Sequence, residues 1–150
     1  MKLDHKTFSR SITAFVCTLA VVFSVSAVAQ SEAFRARLSP MPTTPQTVTT
    51  ITGEGEVILT LDGNTLSVSG NFAGMNSAAT MAHVHNGPPA QPGPVVHQLE
   101  VSKKPDGEIS AILQLTDEQL TALHSNALYI QVHSETNPAG ELRGWIFPRN

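Results

Sequence analysis

LYIQVHS (residues 128–134) alternates strictly between apolar and polar side chains. A β-strand turns successive side chains to opposite faces, so Leu128, Ile130 and Val132 form an inward register. Tyr129, Gln131 and His133 then share the other face. A second stretch, TMAHVHNG (80–87), reads the same way, with Ala82 and Val84 inward and His83 and His85 outward. Two such strands side by side bring three imidazoles together outside the core.

Working outward, six more segments carry strand signals. AFRARL (33–38) alternates, with Phe34, Ala36 and Leu38 on one side and Arg35 and Arg37 on the other. GEVILTL and TLSVSGNF flank Asp62-Gly63-Asn64, and an Asp-Gly pair between alternating segments is a hairpin signal. PVVHQLEV and EISAILQL flank Pro105-Asp106-Gly107, a second hairpin, and ELRGWIF supplies the last strand. The Pro/Thr-rich stretch from Pro40 to Thr52 reads as a loop crossing one end of the fold. Thr116 and Gln119 fit a capping box, in which cap hydroxyl and N3 side chain satisfy each other's backbone amides. One short helix follows, with Leu120 and Leu123 on one face and His124 near its end. About eight short strands and one helix predict an all-β fold, an antiparallel β-sandwich.

Residues 1–29 read as a signal peptide. Lys2, Lys6 and Arg10 precede an apolar run from Ile12 to Val28 that ends in Ala27-Val28-Ala29, a small-residue cleavage pattern. Cleavage after Ala29 predicts a periplasmic or secreted protein, with residues 30–150 forming a single domain and no membrane attachment. The cut removes three of nine basic and one of twelve acidic residues, shifting the net charge from −3 to about −5. That balance argues against nucleic acid and anionic membrane surfaces as partners. The single cysteine, Cys17, leaves with the leader, so the domain is held without disulfides. The sequence names no protein partner.

The order GEVILTLDGNTLSVSGNFAGM, AHVHNGPPAQPGPVV, GEISAILQLTDEQLTAL and VHSETNPAGELRG resembles the CHRD (chordin) domain found in exported bacterial proteins. The resemblance covers Phe34 to Phe147 and implies no particular activity. A fainter likeness is to Cu/Zn superoxide dismutases, β-sandwiches with an H-V-H pair on one strand and a third copper histidine on a later one, so the expected sandwich is immunoglobulin-like or superoxide-dismutase-like. His83-Val84-His85, His133 and the Gly140–Gly144 segment are similar in order. The dismutase zinc loop departs from this chain, since residues 86–100 offer only His97, and no disulfide can form.

The candidate ligands are therefore His83, His85 and His133, with His97 as a candidate fourth; the alternation of VVHQL leaves the face of His97 open. Neutral imidazoles suit copper, zinc and nickel, and affinity among the divalent ions peaks at Cu(II). An HxH pair spans about 6–7 Å along a strand, so it chelates when a neighbouring strand offers a third donor between its members. Copper is the favoured ion, with zinc next. Glu141 and Arg143 fall on one side of their strand and are candidates to bridge and to orient a histidine. Trp145 follows the same outward register. The competing reading makes the histidines architectural, bonded to loop carbonyls in an interaction or structural module that binds no metal. Dismutase-like activity is a third, weaker reading. No nucleophile–base arrangement and no G-x-S-x-G elbow is present, so the sequence leans away from an enzyme.

Overall fold

The computed structural model describes residues 31–149. Eight strands and one helix follow in order: β1 (Glu32–Pro40), β2 (Glu54–Asp62), β3 (Thr65–Ala73), β4 (Ala79–Asn86), β5 (Val95–Val101), β6 (Gly107–Gln114), α1 (Asp117–His124), β7 (Leu128–Ser134) and β8 (Leu142–Pro148). All eight correspond to segments expected from alternation. The leader assigned to residues 1–29 lies outside the described residues.

Every pairing is antiparallel, and the strands close in the order β1-β2-β3-β6-β5-β4-β7-β8. The expected all-β antiparallel class stands, with one correction to the sandwich: β1 pairs with β2 on one side and β8 on the other, so the sheet closes on itself as a barrel. Alternation fixes which face a side chain takes. It carries no information on whether two edges meet, which is why the closure was not legible. The seams differ in extent. The β2–β3 hairpin pairs nine residues from Glu54 to Asp62, closing at Asp62↔Thr65, whereas β5 and β6 meet only through Glu100↔Ser110 and Val101↔Ile109.

The inward registers fill the barrel. Phe34, Ala36 and Leu38 of β1, Val57, Leu59 and Leu61 of β2, and Leu128, Ile130 and Val132 of β7 are all buried. At roughly 25 cal/mol per Å² of apolar surface removed from water, this core is the main stabilising term in a domain whose described part has no disulfide. The helix forms as its capping box dictates. Thr116 Oγ1 accepts from the Gln119 amide at 3.3 Å and Gln119 Oε1 accepts from the Thr116 amide at 3.1 Å. Leu123 is then fully buried and Leu120 packs at the core's margin.

β7 is the exception to one-sided burial: all seven of its residues are buried. Its outer face is roofed by two loops, residues 87–94 and 135–141. The outward face of β7 is thus covered, while His83 on β4 stays half-buried.

Candidate metal centre

Strand pairing explains which side chains meet under that roof. In the β4–β7 ladder His83 lies opposite Gln131, His85 opposite Tyr129, and Met81 opposite His133. His133 is therefore diagonal to His83, beyond the HxH pair and not between its members as the spacing argument supposed. The three rings still converge. One ring nitrogen from each histidine can be chosen so that all lie within 4.8 Å of one another. Bonds of about 2 Å hold ligand nitrogens up to about 4 Å apart, so the widest pair must close by roughly 1 Å. Ring centroids are 5.1 Å apart for His83–His133, 5.9 Å for His83–His85 and 6.4 Å for His85–His133.

The loops set the tautomers. His85 Nδ1 is 2.9 Å from the Gly93 carbonyl, and His133 Nδ1 is 2.9 Å from the Pro138 carbonyl. A carbonyl only accepts, so both Nδ1 atoms carry the proton and each neutral ring keeps its lone pair on Nε2. His133 Nε2 receives the Nδ1–H of His83 at 3.2 Å. His85 Nε2 is buried with no hydrogen-bond partner. Buried polar atoms are nearly always paired, so an unpartnered lone pair in a ring clustered with two other imidazoles calls for an explanation. A metal ion fits all of it: two rings are already oriented by carbonyls, and His83 has only to move its proton to Nε2 to offer Nδ1.

The electrostatics favour neutral rings. Burial holds the His83 pKa below the ordinary 6.5, aided by repulsion from His133 and His85. Burial also lowers His85, with smaller contributions from His133 and Arg143, although its bond to Gly93 opposes the shift. A metal ligand must be deprotonated, so both shifts extend the pH range in which lone pairs are available.

Glycines give the roof its close fit. A Cβ on Gly93 would stand 1.7 Å from the Asn86 carbonyl oxygen, so only glycine at 93 brings its own carbonyl to His85. Gly140, at φ +128, would strike Gln131 Nε2 at 2.5 Å. Gln131 Nε2 donates to the Ala139 carbonyl at 2.9 Å, and Gln131 Oε1 accepts from Arg143 Nε and from one terminal guanidinium nitrogen at 2.9 and 2.6 Å.

The other predicted site residues are placed differently. His97 pairs with Val84 in the β4–β5 ladder and its Nε2 is 2.9 Å from Gln119 Oε1, so it does not join the cluster. Glu141 and Arg143 form no bridge. Glu141 is fully buried, accepting from the Thr52 and Asn76 amides at 3.2 and 3.4 Å and from Asn137 Nδ2 at 3.1 Å. It fastens three loops together and hydrogen-bonds none of the histidines. Arg143 instead bonds Gln131 and lies over the ring of Tyr129, 4.9 Å from its centroid. Trp145 anchors the roof through its indole N–H, 3.0 Å from the Gly87 carbonyl. His124, at the end of α1, pairs with Glu32 at 3.2 Å on the surface.

Tyr129 was not singled out from the sequence. Its ring stacks on His85 with centroids 4.7 Å apart and planes 10° from parallel, and its hydroxyl accepts from the Gly93 amide at 3.1 Å. Membership of the outward register with His133 was the available signal.

An all-β barrel with three clustered histidines on one wall, two of them held by loop carbonyls, defines the class of molecule. The chain belongs to the CHRD domain family, whose model matches residues 34–146. No curated protein and no solved structure matches it.

Proposed function

We propose that this CHRD-domain protein is exported and binds one transition-metal ion through His83, His85 and His133, with Cu(II) preferred and Zn(II) next. The observation that carries the reading is the buried, unpartnered Nε2 of His85, in a cluster of three imidazoles that can each offer a ring nitrogen within 4.8 Å of the others. Three neutral imidazoles follow the affinity order that peaks at copper. Arg143 and Gln131 act behind the histidines, through Tyr129 and the 135–141 loop. Export rests on the leader pattern, with cleavage after Ala29.

Metal titration into chelator-treated protein tests the reading. A ligand that binds only the native state raises the melting temperature by mass action, so Cu(II) or Zn(II) at neutral pH gives a saturable rise at one equivalent per chain. An unchanged melting temperature with both ions contradicts it.

A second reading, an interaction or structural module without metal, is favoured by one observation. The His85–Gly93 and His133–Pro138 hydrogen bonds already tie both roof loops down. That reading leaves the lone pair of His85 unexplained. Dismutase-like activity has less support: His97, the one histidine available for a zinc loop, is engaged with Gln119.

A further inference from the structure

A groove of about 580 Å³ runs along the outer face of the β1–β8 seam. Adjacent antiparallel strands place their outward registers together there: Arg35 and Arg37 from β1, and Arg143, Trp145 and Phe147 from β8. No carboxylate lines it, although acidic residues outnumber basic ones in the chain, twelve to nine. Three guanidiniums on one wall repel one another unless an anion offsets them. Arg35 has Glu56 at 3.5 Å and Arg143 has Gln131, whereas Arg37, although opposite Glu56 in the β1–β2 ladder, makes no side-chain hydrogen bond or ion pair among the described residues. Ala90, held at φ +69, closes the rim.

We propose that this groove binds a small organic anion that joins a carboxylate to a flat, largely apolar body of one or two rings. The volume falls in the range of small-molecule sites, roughly 300–1,000 Å³, which pair apolar walls with a few placed polar groups. Guanidinium forks match carboxylates in bidentate geometry, and Arg37 is the fork left free to do so. Trp145 and Phe147 supply the faces against which a ring packs. The site is separate from the three histidines and does not depend on a metal there, though Arg143 touches both regions.

The test uses metal-free protein in chelator, so that no carboxylate–metal bond contributes. 2-Naphthoate and its neutral counterpart 2-naphthamide are titrated by calorimetry, with the emission of Trp145, the single tryptophan of the chain, as a second readout. The proposal expects saturable one-to-one binding of naphthoate, quenching of Trp145, and binding of the amide weaker by about tenfold or more. Arg37→Ala raises the naphthoate Kd by about tenfold, and Arg37→Lys falls between because the charge stays but the fork is lost. Arg37 is exposed, so its removal leaves the core intact; Arg35→Ala gives an independent variant expected to weaken naphthoate in the same direction. Equal affinity for acid and amide, absence of saturable binding, or an unchanged Kd in both arginine variants overturns it.

Discussion

Individual histidines answer to different partners, and their substitutions separate accordingly. His133 is 8% exposed and donates to Pro138, so His133→Ala removes a buried hydrogen bond and costs about 1–3 kcal/mol in metal-free protein. Metal-induced stabilisation disappears in the same variant. Apo destabilisation alone therefore does not separate ligand from architecture here; the metal response does. Protonation gives a further check. His83 and His85 have folded pKa values below the unfolded 6.5, so the unfolded chain takes up protons first as pH falls. Their contribution to stability is whole above about 6.5 and declines as pH drops from there through the folded values. Denaturant melts of apo protein from pH 8 to pH 5 should show this loss, and it should shrink in the His83→Ala variant. Glu141→Ala leaves two loop amides and Asn137 Nδ2 without their acceptor and should cost about 3 kcal/mol in the same melts.

Among the elements, α1 and the β5–β6 seam give opposite tests. Thr116→Ala removes one half of the capping box and should lower stability by about 1 kcal/mol while leaving the metal-induced rise in melting temperature unchanged. Two residue pairs join β5 to β6 against nine between β2 and β3. Amides along β5 should accordingly exchange with deuterium faster than those of the β2–β3 hairpin. Strands were the most legible part of this chain because alternation and Asp-Gly turns are local signals. The capping box was legible for the same reason. The position of His133 past the HxH pair was not, because register between β4 and β7 depends on tertiary pairing. The Glu141–Arg143 bridge failed because Glu141 precedes β8, in the 135–141 loop, and bonds Asn137 there, while Arg143 bonds Gln131 on β7.

For the molecule as a whole, closure of the sheet and the roof over β7 decide what the site is. Alternation placed the three histidines on one face correctly, yet it described that face as solvent-exposed. The loops that cover it are rich in Gly and Pro, residues whose role is backbone geometry, and that geometry is not read from periodicity. Loop carbonyls orient His85 and His133, and burial lowers the pKa of His83 and His85, both of which favour metal binding. If the leader is cleaved as its pattern indicates, N-terminal sequencing of the exported protein begins at Gln30. The most direct measurement is the metal content of the mature protein, taken by elemental analysis together with native mass spectrometry after saturation with Cu(II) and removal of excess. The account predicts one copper ion per wild-type chain and none retained by His133→Ala. Wild-type protein that retains no metal, or a variant that retains as much as wild type, contradicts it.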